Sequence, residues 1–283
     1  MKRLLAIEFQ KIQKNRASKI LVITYFILLS LITLIASLKF NIGTIEINVA
    51  EQGIFNFPYI WHFNTYVASW FKLFLAVVIV SMMANEYTYG TLKQNLIDGL
   101  SKKEFILSKF YVVLGFAFIS TIYVFILSLI LGFNFSSYNE MSIVFSDLDY
   151  LLAYFLELVA FFSFCLFLGI LVKRSAFALG FLFAWSIGEK IFYGFLKFNV
   201  LNGSHDKKNW ADSIIQFFPL ESISNLIKEP ITRLNAIKTI ENAIGGGQNI
   251  KIYSVQLSEI VIVVVWIIVF ILTSFYVLKK RDL

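Results

Sequence analysis

Lys72, Glu157, Glu189 and Lys190 stand inside or at the edges of long apolar runs, and they are the residues whose chemistry most needs explaining. A charge at the centre of a bilayer costs about 3 kcal/mol even on lenient scales, so such residues mark bundle contacts or a polar pathway. For Glu157 both readings stand: a contact within a helix bundle, paired with Lys72, or a place in the lining of a pathway. Glu189 and Lys190 are neighbours, about 100° apart on a helix, and do not pair with each other. They are read as snorkelling side chains, or as the end of a helix that stops early.

Other chemistry is missing. Gly245-Gly246-Gly247 is followed by Gln248-Asn249, which lacks the Lys and hydroxyl of a phosphate-binding loop, and it reads as a flexible turn. His62 and His205 fall in different segments with no Cys or clustered carboxylate nearby, and both read as surface histidines rather than metal ligands. No Gly-x-Ser-x-Gly elbow, His-Glu-x-x-His helix or chain of intramembrane acids occurs. The single Cys165 lies in an apolar run and forms no internal bridge. The chain is therefore not read as an enzyme, and no cofactor is assigned to it.

The elements that hold these residues follow from composition. Of the 283 residues, 58% are hydrophobic and 15% charged, more apolar surface than one soluble core can hide. The apolar stretches are continuous rather than alternating, which selects helices over a barrel. Six are long enough to cross about 30 Å of hydrocarbon: Ile20–Leu38, Tyr66–Ala84, Phe110–Phe133, Tyr150–Val172, Ala176–Leu196 and Ile260–Leu278. The fold expected is an all-α membrane protein, a single transmembrane domain over residues 1–283.

Basic residues set the orientation. Fifteen Lys and Arg fall in the N-terminal tail, the segment between spans two and three, the segment between spans four and five, and the C-terminal tail. The opposite side has none in 41–65, none in 134–149 and six in 198–259. Both termini are thus expected in the cytoplasm, in a multi-pass protein of the inner membrane. The net charge of +7 reflects this bias and gives no reason to invoke nucleic acid. Before the first span, Met1, Leu4, Leu5, Phe9 and Ile12 share a helical face with Lys2, Arg3, Lys11 and Lys14 around the rest, the pattern of an interfacial helix. Glu8 intrudes on its apolar stripe.

The stretch from Asn85 to Phe105 is the most distinctive. It reads as a span end at Glu86, a break at Gly90 and a short helix from Thr91. Gly99 stops that helix, and Ser101 with Glu104 forms a capping box for the next. Leu92, Leu96 and Ile97 are the expected apolar anchors, and a connector alone would need only a few polar residues.

This stretch resembles the ABC-2 family of ABC-transporter permeases. In that family a Glu-x-x-x-Gly-Thr element closes the second span, with a turn and Ser-Arg/Lys about eight residues later, and it forms a coupling helix. The matching positions are Glu86, Gly90 and Thr91, then Gly99, Leu100, Ser101 and Lys102. The layout is similar as well: an interfacial helix, six spans, inward termini and a long external segment between spans five and six. The resemblance implies a permease subunit of an exporter, embedded among membrane lipids. It would pair with a second permease chain, identical or different, and bind separate ATPase subunits that carry the ATP and Mg. It also implies that spans two and five lie nearest the shared axis, and that 198–259 holds short re-entrant helices. On the residues alone, Ile214–Ile227 is apolar yet too short to span, and Ile231–Gln256 reads as an exposed insertion. The competing readings are a membrane-integral accessory or assembly protein, and a passive channel without ATP coupling.

Overall fold

Uninterrupted runs of Leu, Ile, Val and Phe leave the backbone nothing but itself to bond to in hydrocarbon, so they fold as helices. The computed structural model describes residues 2–37, 39–42, 45–48, 53–200, 206–230 and 253–281, with side chains over 4–31, 53–198, 210–230 and 253–281. The described elements, in order, are α1 (Lys2–Lys14), α2 (Arg16–Ser37), β1 (Lys39–Ile42), β2 (Ile45–Asn48), α3 (Tyr59–Trp70), α4 (Lys72–Thr88) and α5 (Thr91–Ile97). They continue with α6 (Lys102–Phe135), α7 (Met141–Val144), α8 (Asp149–Val172), α9 (Ser175–Val200), α10 (Asp206–Ile215), α11 (Pro219–Asn225) and α12 (Leu257–Lys280). Among the described elements, the hairpin β1–β2 alone is not helical, antiparallel with Lys39 opposite Asn48.

Among the described residues, four helices are long and apolar enough to cross a membrane, or five if the bent pair α3–α4 counts as one span. This is a multi-pass membrane protein. Helix α2 covers most of the first expected span; its side chains from 32 onward, and Leu38, fall outside the described residues, as do His205, Gly245–Gly247 and 231–252.

Three sequence readings change. The second span is not one helix over Tyr66–Ala84: α3 starts at Tyr59, and α3 and α4 meet at 45°. At the break the bonding pattern tightens, Phe71 N–H donating to the Ala68 carbonyl and Phe74 N–H to that of Phe71. The fifth span does not stop at Glu189; α9 runs through it to Val200, with Lys190 exposed and Glu189 buried. His62 is not a surface residue. It is fully buried in α3, stacked 4.2 Å from Tyr150, with Nε2 2.7 Å from the Lys228 carbonyl oxygen.

Helix α8 is the hub, packed against α3, α4, α6, α9, α11 and α12 and buried along most of its length. The others turn Ile, Phe and Val outward, including Ile119, Ile126, Phe183, Val265 and Leu272. At one end of the bundle α1, the end of α4, α5, the start of α6 and the ends of α8 and α12 converge. At the other, α3 and α8 hold the connecting segments: Trp61 donates to the Val144 carbonyl, Tyr59 to that of Pro230 and Tyr150 to that of Tyr253.

Candidate functional site

The end where both terminal helices meet is built around Glu86. Gly90 caps α5 with φ +67, a left-handed turn that a β-carbon disfavours, and so folds the chain back after α4. That reversal returns the Thr91 hydroxyl to the Glu86 Oε2, 2.5 Å away, five residues back in sequence. The spacing of Glu, Gly and Thr is thus a closed local loop. The other carboxylate oxygen, Oε1, accepts from Lys109 of α6 at 2.5 Å and from Lys11 of α1 at 2.8 Å.

Lys109 is fully buried and also reaches Glu8 Oε2 at 2.6 Å, while Lys11 lies 3.2 Å from Glu8 Oε1. Two carboxylates and two ammonium groups from three helices therefore form a balanced cluster. Lys109 also sits 5.1 Å from the centre of the Phe105 ring. Burial works against the charge on Lys11, but Glu86 and Glu8 outweigh it and hold its pKa above the usual lysine value. Glu8, which breaks the apolar stripe of α1 in the sequence, is thus the residue that docks α1 onto α6.

Helix α5 stands on this cluster. Leu92 is buried and Leu96 packs partly against the core. Ile97 is not an anchor: it is 75% exposed, because five residues at 100° each turn it well away from Leu92. Gly99 has φ +96 and ends the segment. The Ser101–Glu104 capping box opens α6, as the sequence indicates. Lys102 donates to the carbonyls of Lys279 and Arg281, and Arg281 in turn donates to the Tyr87 hydroxyl and to the Ile170 and Leu171 carbonyls. The contacts of Lys109, Lys11, Glu8 and Arg281 between helices are not legible in the sequence, since they join residues 23 to 194 positions apart.

Toward the other end, Lys72 and Glu157 do pair, Nζ to Oε1 at 2.5 Å, with Lys72 4.9 Å from the centre of the Phe161 ring. Glu189 has a different task. Its Oε1 accepts from the Trp185 indole at 2.6 Å and from Leu220 N–H at 3.2 Å, and its Oε2 from Glu221 N–H at 2.9 Å. It caps the otherwise unsatisfied N-terminus of α11 from outside that helix. Helix α11 rests on α8, α9 and α12.

Residues 32–205 match the model of a family described as a protein of unknown function, DUF2705. The chain belongs to that family. The DUF2705 match runs from α2 past the end of α9, and so contains Lys72, Glu86, Gly90, Thr91, Lys109, Glu157 and Glu189. Glu8 and Lys11, which complete the charge cluster, precede it, and α11 follows it. No curated protein matches the chain.

Proposed function

We propose that this chain is the membrane-spanning permease subunit of an ATP-driven exporter, with six spans, both termini in the cytoplasm, and α5 as the contact for a separate ATPase. In this reading a second permease chain, identical or not, completes the pathway, and the ATPase closes around ATP and Mg to re-orient the two halves. What carries the reading is α5 itself: a short helix fixed to the bundle through Glu86, Thr91 and Leu92, with Ile97 at its end 75% exposed and Tyr89 before its start 74% exposed. Bare apolar side chains at the end of the molecule richest in Lys and Arg suit a protein partner better than water. The likeness of Glu86, Gly90, Thr91, Gly99, Ser101 and Lys102 to the ABC-2 coupling element supports it.

The test is co-expression with a candidate ATPase sought among the genes neighbouring this one, and capture through a tag on the permease. The ATPase should be retained by the wild type and lost with Ile97→Asp, while the thermal melt of the membrane chain stays unchanged. No retention by the wild type overturns the reading in favour of an accessory protein or a passive channel.

A further inference from the structure

The break between α3 and α4, the middle of α8, the middle of α9, and α11 with the residues after it line a cavity of about 530 Å³. That lies within the range of small-molecule sites, roughly 300–1,000 Å³. Trp70, Leu73 and Phe183 line it and are also exposed, so it opens on the apolar flank of the bundle. Lys72, Glu157, Glu189 and Glu221 also line it.

The hydrogen-bonding account of this wall does not balance. Glu189 is satisfied by an indole and two backbone N–H groups. Glu157 Oε1 has Lys72, but its Oε2 has no partner although the residue is only 2% exposed. The Glu221 carboxylate has no hydrogen bond or ion pair among the described side chains, and burial together with the Glu189 charge pushes its pKa up. Of the nearby hydroxyls, Ser69 contacts Glu157 but donates to the Tyr66 carbonyl, and Ser224 donates to that of Glu221. Lys190 is exposed, and its charge offsets only part of these effects on Glu221. The cavity therefore has acceptors in excess of donors and three carboxylates against two ammonium groups, inside an apolar shell. An unpaired buried acceptor such as Glu157 Oε2 is costly.

We infer that this cavity binds an amphipathic amine, a positively charged N–H donor on an apolar body. The ammonium group supplies Glu221 and Glu157 Oε2 with the donors they lack, and the apolar body lies against Leu73, Phe161, Leu182 and Phe183. An anion would meet three carboxylates, and a neutral alcohol could give one of them a single hydrogen bond but would leave their charge uncompensated. As the substrate class of the exporter, this inference rests on the function proposed above; as a binding site it does not.

The experiment uses the purified full chain in dodecyl maltoside, with no ATPase, and follows its melting temperature against n-octylamine, octanol and octanoate. Octylamine alone should raise the melting temperature saturably. Glu157→Gln and Glu221→Gln should each weaken the effect by about tenfold or more, the worth of one charged hydrogen bond. Ser186→Phe, which fills the cavity, should abolish it. Equal effects of amine and alcohol, or a preference for octanoate, overturn the inference. If Glu157→Gln does not fold, the other two variants decide, and full octylamine binding in both overturns it. Saturable amine binding in a chain that retains no ATPase removes the exporter and keeps the site; the reverse result removes the site alone.

Discussion

Glu86 gathers contacts of two kinds at its end of the bundle: a hydroxyl from its own turn, and ammonium groups from α1 and α6. The Thr91 contact is local and legible, because a glycine four residues after Glu86, with a hydroxyl next to it, allows few other geometries. The contacts to Lys11 and Lys109 are not, since nothing in an apolar stripe says which distant helix will cover it. The balance of two acids and two bases makes a sharp prediction. Lys109→Met leaves Glu8 and Glu86 buried with Lys11 alone, and removing one partner from such a cluster costs about 3–5 kcal/mol. Adding Glu8→Gln restores one acid to one base, so the double variant should melt above Lys109→Met. Strict additivity of the two single losses, measured by the thermal melts, would show that the cluster is not a coupled unit.

At the scale of elements, hydropathy finds a helix wherever lipid or a dry core will accept it, and it errs where polar groups are satisfied inside the bundle. The second span was read from Tyr66 because His62, Asn64 and Thr65 dilute the apolar run before it. Yet all three are buried, with the Asn64 amide bonded to Ser128 and the Thr65 hydroxyl to the Trp61 carbonyl. Glu189 misled for the same reason: a carboxylate in an apolar run looks like a helix end until the N–H groups it caps are in view. Its removal should therefore act on α11 rather than on α9. Glu189→Ala leaves the N–H groups of Leu220 and Glu221 without their acceptor, a loss of about 0.5–2 kcal/mol on the scale of helix caps. Amide exchange should rise in Pro219–Asn225 and stay unchanged in the middle of α9. A uniform rise across both helices would mean that the carboxylate supports the fold generally and not the seating of α11.

For the whole molecule, the sequence shows how many apolar runs there are but not which one is surrounded by the others. Lipid tails and Leu side chains are equally apolar, so α8 at the centre and α12 at the flank have similar compositions. What composition does carry is direction. Basic residues avoid the translocated side, and the cluster of Glu8, Lys11, Glu86 and Lys109 lies at the end where Lys102, Lys173, Arg174, Lys279 and Arg281 gather. That end is expected in the cytoplasm, and the segment around Ser142 outside. Both Lys103 and Ser142 are exposed, while Cys165, the sole native thiol, is fully buried. Single cysteines at Lys103 and Ser142, in a Cys165→Ala background, report the two faces directly. An impermeant maleimide on intact cells should label the cysteine at 142 at once, and that at 103 only after permeabilisation. Labelling in the reverse order would turn the molecule over, place α5 outside the cell, and leave no route for an ATPase to reach it.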